Sequence, residues 1–347
     1  MGPDAKDVED SGAPAPLVTV VLIAYNHERY VCEALAGVLA QTYEPLEIIL
    51  SDDGSTDRTF ELMRDAARDY RGPHKIILNR NTKNLNVGDH LNKAASLASG
   101  DLIVLAAADD ASAPTRAEAI ARLWIAEGKP SALLHSSFEP IDAQSQPVSV
   151  DDEEVSHGDE NLLRMAHGDI RILGATTAMT RDIFTRFPKL DSSVRHEDRV
   201  FPWRALLLGG RVLFLDEKLV RYRVDGGVSR MKIETARDYL FSYVPSYWAR
   251  TLPDAIQRLA DLESLPDYDR NLAKECVATI ADHRAFVALA QSSGVALETA
   301  ALDGLRNGAR LAPLAKLYLK RRFLWGFEAF FWLQRKLSVR RPTPAPQ

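Results

Sequence analysis

The sequence feature that most constrains the fold is an apolar run that stops abruptly at two adjacent acidic residues. The run covers residues 103–108, and the acids are Asp109 and Asp110. Continuous Leu, Ile and Val are typical of a strand buried on both faces of a parallel sheet. Ligands of such sheets bind at the carboxyl ends of the strands, so we expect these two carboxylates at a binding edge.

The two adjacent acids have two interpretations. Neighbouring carboxylates repel each other, and a divalent cation that carries phosphates is a common counter-charge at such an edge. Alternatively, the acids belong to a solvated turn that caps a helix expected from about Pro114 to Glu127. This segment alone does not separate a metal site from a helix cap.

Strand-like and helix-like segments alternate up to about residue 135. Besides the opening run, apolar strands are predicted at residues 17–24, 46–50, 75–78 and 132–135. Strict alternation predicts right-handed crossovers and a Rossmann-like, mostly parallel α/β sheet with helices on both faces. Because parallel strands end at one edge, we expect three polar clusters to meet in one crevice: Tyr25-Asn26, Asp52-Asp53 and Asp109-Asp110.

The pattern loosens after the fifth strand. Rising charge and fading periodicity between Phe138 and Asp169 predict a loop or a mobile flap beside the site. A short strand from Ile172 to Met179 and a helix opening at 195–199 follow. That helix start contains Glu197 and Asp198, which the helix dipole alone would favour there.

The last part of the chain is predicted to be helical. Two further strands are expected at 211–215 and 218–224, and helices throughout beyond about residue 230. The domain organisation is therefore expected to be a disordered leader at 1–16, an α/β domain at 17–230 and a C-terminal helical region at 231–347.

Charge and composition exclude some classes of function. The net charge is −5, but residues 316–341 carry +7, which leaves −12 for the rest and argues against nucleic-acid binding. Cys32 and Cys276 lie far apart without metal-type spacing and are expected to be reduced, buried thiols. The leader has no apolar signal core, and no run reaches the roughly 20 apolar residues of a membrane span, which together predict a cytoplasmic protein.

Several motifs in chain order resemble those of the family 2 glycosyltransferases, which are inverting enzymes with the A-type nucleotide-sugar-binding fold. The motifs are residues 20–26 (VVLIAYN), 41–43 (QTY), 52–57 (DDGSTD), 84–92, 99–101 with Asp109-Asp110, and Glu197-Asp198. Each motif alone is weak evidence for the family, since a sequence such as Asp-Asp-Gly-Ser is also common in ordinary turns. Together they span about residues 17–228 and favour the metal interpretation of the two acids.

The resemblance implies a nucleotide site at the ends of the first strands. In that arrangement Ile23, Ala24 and Tyr25 border the nucleobase pocket, and Asp53 accepts the N–H of a uracil-type base. The segment from Asn84 to Asn92, which includes Asn86, lies against the ribose and the phosphates.

The resemblance also implies a metal site and a general base. Asp109 would lie near the ribose or the sugar, and Asp110 would ligate a Mn²⁺ or Mg²⁺ ion that bridges the diphosphate. Asp198 matches the general base, with Glu197 beside it. Inverting transfer needs such a base to deprotonate the acceptor hydroxyl and a cation to stabilise the departing diphosphate, and it needs no covalent nucleophile.

The expected function is transfer of a sugar from a nucleotide-diphosphate donor, first of all a UDP-sugar, to a glycan or lipid-linked acceptor in surface polysaccharide synthesis. A sugar nucleotidyltransferase is the enzymatic alternative, but residues 24–28 lack the Gly-rich basic loop it would need. A non-catalytic, membrane-associated scaffold with a degenerate transferase fold is the other alternative. One departure keeps it open, because Asp225 stands where family members often have a His.

The basic tail predicts contact with a membrane surface. Residues 323–333 are densely aromatic and bracketed by basic residues, and eleven residues are too few to span a bilayer. Residues 313–341 therefore suit peripheral attachment to the inner membrane face, where basic and aromatic side chains both contribute. The alternative is a terminal helix docked on the α/β domain or on a second subunit. Other histidines, His27, His90 and His135, are expected to be packed or solvated.

Overall fold

The computed structural model describes residues 14–149, 156, 160–224, 234–324, 326–328, 330 and 332. The strands are β1 (Val18–Ala24), β2 (Leu46–Asp52), β3 (Lys75–Arg80), β4 (Leu102–Ala107), β5 (Ala111–Ser112), β6 (Ala132–Ile141), β7 (Ala178–Thr180) and β8 (Arg211–Arg223). They form one sheet in the order β3-β2-β1-β4-β7-β6-β8-β5.

The helices lie between these strands and after the last of them. They are α1 (Val31–Leu39), α2 (Thr59–Asp69), α3 (Asn86–Leu97), α4 (Arg116–Ala126), α5 (Leu162–His167), α6 (Asp182–Thr185), α7 (Phe201–Leu207), α8 (Ala236–Asp238), α9 (Val244–Glu263), α10 (Arg270–Gln291), α11 (Val295–Arg306) and α12 (Leu311–Arg322). Two 3₁₀ turns cover Gly174–Thr176 and Glu197–Arg199, and a π-helical turn, Tyr239–Tyr243, joins α8 to α9.

The predicted fold class is confirmed, and the sheet is mixed. β1, β2, β3 and β4 are parallel to one another, and β6 is parallel to β8. β7 runs antiparallel to both β4 and β6, and β5 runs antiparallel to β8. The parallel half carries the three polar strand ends, so the strand order already places them at one edge.

Strand β1 shows why the sheet must be covered on both faces. Val20 and Leu22 belong to one buried cluster together with Leu35 of α1. Val21, between them, belongs to the opposite cluster together with Leu91 of α3. Successive strand residues point to opposite faces, so a strand that is apolar at every position requires a helix layer on each side.

Several predicted boundaries are corrected. β6 continues to Ile141, inside the segment expected to be a loop, and the two strands expected after residue 211 are one strand, β8. Its register against β6 shifts between Ser136 and Phe138, which explains the break in the apolar pattern. The strand expected at 172–179 is a 3₁₀ turn followed by the short β7. The helix expected to open at 195–199 begins at Phe201, after a 3₁₀ turn.

The C-terminal residues are helical, as predicted, and α9 and α10 share a core with the sheet. Leu262 of α9 and Cys276 of α10 belong to the same cluster as Val21. A second cluster joins α10 to α12 through Phe286 and Leu314. The expected boundary near residue 230 stays a prediction, because residues 225–233 lie outside the described ones.

The structure tests the expectations about the two cysteines and about membrane-spanning helices. Cys276 is buried, but Cys32 is exposed, because α1 buries the face that contains Val31, Ala34 and Leu35. In the part of the chain that the structure describes, every helix is too short or too polar to cross a membrane.

Candidate active site

The end of β1 ties the ends of its two neighbours together. The Asp53 N–H donates to the Ala24 carbonyl at 2.8 Å, and the Ala108 N–H donates to the Ile23 carbonyl at 3.0 Å. The acids that follow β2 and β4 therefore flank the last residues of β1. The structure brings the three predicted polar clusters to one edge, and their individual roles remain predictions.

Asp53 is buried and held from one side. Its Oδ1 accepts hydrogen bonds from the Asn81 amide at 2.8 Å and from the Leu85 N–H at 2.9 Å. His90 Nδ1 lies 3.9 Å from Oδ2, and burial lowers the pKa of His90, which favours the neutral ring. A carboxylate fixed through one oxygen can still accept a hydrogen bond through the other, as the predicted role requires.

The other predicted nucleotide contacts are more open to solvent. Tyr25 is 41% exposed at the end of β1, next to the partly buried Ile23 and the buried Ala24. Asn84 and Asn86 are both exposed, and Asn84 Oδ1 accepts the Asn86 N–H at 2.7 Å. Asn86 has a left-handed backbone, with φ +64°, and opens α3.

Asp110 is buried and faces the end of β8. Its Oδ1 accepts the Arg223 N–H at 2.7 Å, and the Arg223 Nε donates to the Asp109 carbonyl at 2.9 Å. Burial, followed by repulsion from Asp109, raises the pKa of Asp110 to about 8, against the opposing effects of Arg116 and Arg223. No side chain caps α4, whose N-cap is Thr115, so the helix-cap interpretation of the two acids is wrong.

The acid pair fits a cation site completed by a nucleotide. Among the described residues no group of three or more His, Cys, Asp and Glu side chains forms a ready cage. Mg²⁺ in nucleotide enzymes is typically held by one or two carboxylates together with substrate phosphates. A buried carboxylate repelled by its neighbour is the kind of group that a cation stabilises, so Asp110 and Asp109 fit that role. Asp225, where the resemblance departs, lies outside the described residues.

Arg116 connects this edge to the second half of the domain, a role that we did not predict. It is buried, and its Nη2 donates to the Ala175 carbonyl at 2.9 Å and to the Thr177 carbonyl at 3.3 Å. Burial lowers its pKa to about 10, while Asp110 raises it, so the guanidinium stays charged at neutral pH. The charged guanidinium thus attracts Asp110, and its hydrogen bonds to the two carbonyls hold the 3₁₀ turn at 174–176.

Glu197 and Asp198 lie against that same turn. Asp198 Oδ2 accepts the Gly174 N–H at 3.3 Å, and a Cβ placed on Gly174 would lie 2.3 Å from Glu197 Oε1. Burial and then repulsion from Asp198 raise the pKa of Glu197 to about 8. Burial also raises the pKa of Asp198, against the opposing effects of Arg199 and His196. Neither carboxylate caps α7, whose N-cap is Val200.

The loop that carries these acids is held by α9. The Asp254 carboxylate is fully buried, accepts the Arg195 N–H at 3.1 Å, and lies 2.7 Å from His196 Nδ1. Arg199 Nη2 donates to the Tyr247 hydroxyl at 2.9 Å. We did not predict these contacts. A signal was present, since the buried face of α9 carries polar residues at helical spacing: Asp254, Gln257, Arg258 and Asp261.

A separate cavity lies away from these acids. It measures about 990 Å³ between α9, α10 and α11, and none of the predicted site residues lines it. Its walls carry few groups capable of acid–base chemistry, so the strand edge and the Gly174 turn remain the candidate site.

Residues 19–171, rather less than half of the chain, match the family model described as Glycosyl transferase family 2. This region is similar to the family 2 glycosyltransferases. The match contains the strand ends with Asp53, Asp109 and Asp110 and stops before Glu197 and Asp198. The matched region therefore includes the acids that are predicted to bind the nucleotide and the metal, and it does not include the predicted general base and its neighbour.

Curated relatives match the chain over short stretches. The putative glycosyltransferase EpsE of Bacillus subtilis is 39% identical over 103 residues, which cover 30% of this chain and 36% of EpsE. The glucosyl-dolichyl phosphate glucuronosyltransferase of Haloferax volcanii is 31% identical over 118 residues, which cover 33% and 36%. The chain thus spans about a third of the length of these relatives.

Solved glycosyltransferases share the fold. S. aureus TarS 1-349 in complex with UDP-GlcNAc superposes with a TM-score of 0.56 at 17% identity and covers 84% of this chain and 81% of its own. The mannosyltransferase PcManGT of Pyrobaculum calidifontis, in complex with GDP-Man and Mn²⁺, gives 0.50 at 19% identity, with 92% and 91% covered. The chain therefore has the A-type glycosyltransferase fold with a C-terminal helical region.

Proposed function

We propose that this protein is a metal-dependent, inverting glycosyltransferase that uses a nucleotide-diphosphate sugar, with UDP-sugars as the first candidates. The observation that carries the proposal is the position of Arg116. It contacts the turn against which Glu197 and Asp198 lie and attracts Asp110 at the strand edge. The buried Arg116 guanidinium thus connects the acids predicted to hold the leaving diphosphate to the acids predicted to deprotonate the acceptor.

On the donor side, Asp53 and the end of β1 receive the nucleotide. The Asp53 carboxylate is already oriented by Asn81 and Leu85, so its position does not depend on the ligand. The relative TarS binds UDP-GlcNAc, which makes this donor a practical first probe. Asp110 and Asp109 would hold a divalent ion, which would supply Lewis-acid stabilisation to the departing diphosphate.

On the acceptor side, Asp198 takes the proton. The acceptor hydroxyl attacks the anomeric carbon from the face opposite the diphosphate, and its proton passes to the Asp198 carboxylate. Burial strengthens Asp198 as a base by raising its pKa, and the Gly174 N–H fixes one of its oxygens. Glu197, with its pKa near 8, is mostly protonated at neutral pH and limits the negative charge beside Asp198.

Release of UDP from UDP-GlcNAc in the presence of Mn²⁺ tests the proposal. We expect Asp198→Asn to abolish turnover and to retain UDP binding, while Asp69→Asn, at an exposed position on α2, behaves as the wild type. Asp110→Ala should weaken UDP binding in Mn²⁺ more than in EDTA. Normal turnover by Asp198→Asn would remove the base assignment, and equal UDP affinity with and without Mn²⁺ would remove the metal site.

The same assay decides between the alternatives. A non-catalytic scaffold would not hydrolyse any UDP-sugar, so even slow, Mn²⁺-dependent release of UDP excludes it. A sugar nucleotidyltransferase would release pyrophosphate from a nucleoside triphosphate and a sugar phosphate. The match to a glycosyltransferase family model favours sugar transfer over that reaction.

We also propose that residues 313–341 attach the protein to the inner membrane face, where a lipid-linked acceptor for surface polysaccharide would be found. Phe323, Phe330 and Trp332 are 52%, 52% and 58% exposed, whereas Leu324 and Phe327 pack on the helical cluster. The described tail residues thus both dock on the protein and present an apolar surface. Co-sedimentation with vesicles containing phosphatidylglycerol, but not with phosphatidylcholine alone, is the expected result. A chain ending at residue 322 serves as the control.

A further inference from the structure

Three tyrosines form a ladder that starts beside the predicted base. The rings of Tyr247, Tyr243 and Tyr239 stack in sequence, with centroids 5.7 Å apart at each step and planes inclined by 22°. The Tyr247 hydroxyl accepts a hydrogen bond from Arg199, the residue after Asp198. All three rings are partly exposed, so the ladder is not simply part of the core. Its second step, from Tyr243 to Tyr239, spans a π-helical turn, a distortion that is frequent at functional sites.

The far end of the ladder opens into a second cavity. Tyr239 lines this cavity, which measures about 480 Å³ and lies between α5, α10 and α12. Trp248 also lines it, with its ring 4.5 Å from the His283 ring. The Nδ1 atom of His283 is buried and has no hydrogen-bond partner among the described residues. Burial lowers the pKa of His283 to about 3, so the ring is neutral and can hydrogen bond to a ligand hydroxyl.

Two lysines in the same cavity lack a carboxylate partner among the described residues. Lys316 and Lys320 are one helical turn apart on α12 and both line the cavity. Neither forms an ion pair within the described chain, and Lys320 Nζ lies 5.4 Å from the centre of the Tyr239 ring. The acids in the cavity are engaged elsewhere: Asp282 pairs with Arg310 at 2.6 Å, and Asp169 lies 3.9 Å from His167. Like charges at this spacing repel each other, and a ligand anion would relieve the repulsion.

These observations describe a site for a sugar with an acidic group. Flat, partly exposed aromatic rings offer apolar contact to sugar faces, with their hydroxyls at the edge. Arg171, Arg199 and Arg250 also lie near Tyr243. They lower the pKa of its hydroxyl, although burial and Tyr247 keep that pKa above its ordinary value. Asp198 and Asp254 already face Arg199, and an acidic group on the acceptor would add a further attraction to these guanidinium groups.

We infer that the tyrosine ladder and its cavity form the acceptor subsite, and that the acceptor is a glycan bearing a phosphate or carboxylate bound by Lys316 and Lys320. The inference rests on the proposed function, because the ladder leads from this cavity to Arg199, next to the predicted base. Sugar rings lie along the ladder, and the acidic group lies in the cavity.

Ligand titrations by NMR test this inference with the full chain, saturated with UDP and Mn²⁺ to block the donor site. The probes are glucose, glucose 6-phosphate, glucuronic acid and inorganic phosphate. We expect the two acidic sugars to bind at least tenfold more tightly than glucose, a difference of ~1.4 kcal/mol, and glucose 6-phosphate more tightly than inorganic phosphate. Preference for only one acidic sugar identifies which acidic group the site selects. Equal binding of glucose and both acidic sugars overturns the inference, as does phosphate binding as tight as that of glucose 6-phosphate.

Two sets of variants locate the binding. Lys316→Gln combined with Lys320→Gln should weaken acidic sugars at least tenfold and leave glucose unaffected, and Tyr243→Ala should weaken all the sugars but not inorganic phosphate. The matched control combines Lys129→Gln with Lys189→Gln, both at exposed positions. Circular dichroism shows whether each variant is folded, and Lys316→Gln alone replaces the pair if the pair is not. Unchanged affinity in the folded lysine variant overturns the inference.

The wild type separates the two hypotheses. If it binds no UDP, the proposed function fails. If it binds UDP and does not prefer acidic sugars, only the acceptor inference fails.

Discussion

Replacement of Gly174 by alanine should slow sugar transfer about 100-fold while the protein stays folded. The added Cβ would lie 2.3 Å from Glu197 Oε1, whereas ordinary contacts of this kind begin at 3.4 Å. The Glu197 carboxyl must therefore retreat by about 1 Å, and a displacement of that size near a reacting group can reduce the rate on the order of 10²-fold. Gly174 does not have a positive φ, so the alanine backbone is unstrained and the effect is purely steric.

The measurement is UDP release from UDP-GlcNAc in Mn²⁺, with UDP affinity determined separately by calorimetry. We expect kcat to fall and UDP affinity to stay unchanged. A double-mutant cycle tests the steric contact itself, because Glu197→Ala removes the side chain that the new methyl group would meet. In that background the alanine at residue 174 should have little further effect. Wild-type turnover by Gly174→Ala, or an equal loss in both backgrounds, would refute the steric reasoning.

Three further changes test the electrostatics and the support of the same loop. Glu197→Gln should raise the free energy of unfolding by ~1 kcal/mol at pH 8 and leave it unchanged near pH 4, as urea titrations would show. The folded state keeps a proton on Glu197 up to about pH 8, whereas the unfolded chain releases it near pH 4.5, so stability falls with rising pH in this window. Asp254→Asn should lower kcat ~10-fold without changing UDP affinity, because the loop at His196 loses its charged acceptor. Asp261→Ala should reduce the free energy of unfolding by about 3–5 kcal/mol, because Arg204 stays buried without its partner.

Each of these changes has its own control. Asp216→Asn, on β8, is the matched control for the Asp254 variant. A combined Arg204→Met and Asp261→Leu variant should regain most of the lost stability, since the buried charge is then removed as well. Parallel pH profiles for Glu197→Gln and the wild type would contradict the raised pKa of Glu197. Destabilisation of the combined variant as large as that of Asp261→Ala would contradict the role of the unpaired charge.

The fold was largely predictable because β1, β2 and β4 are apolar at nearly every position. Such strands can lie only between two helix layers, and their ends fix where Asp53 and Asp110 lie. The later strands were harder to predict. β8 reads as two segments because its register against β6 shifts, and β7 has only three residues, too few for a periodic signal.

The site was only partly predictable, for a related reason. The polar strand ends follow from local sequence, but Arg116 acts through carbonyls about 60 residues away, and Asp254 acts on a histidine 58 residues earlier. Contacts of this kind depend on tertiary packing that residue type does not encode. The buried polar face of α9 was visible in the sequence, but its partner was not.

The packing of α9 against the base loop limits how this chain can be recombined with its relatives. A chimera that joins residues 14–224 to a foreign set of helices would lose the ring that Arg199 contacts, the acceptor of His196 and the counter-charge of Arg204. Exchange of acceptor specificity by swapping C-terminal helices should therefore yield inactive proteins, unless the segment from Leu190 to Leu207 is exchanged with them.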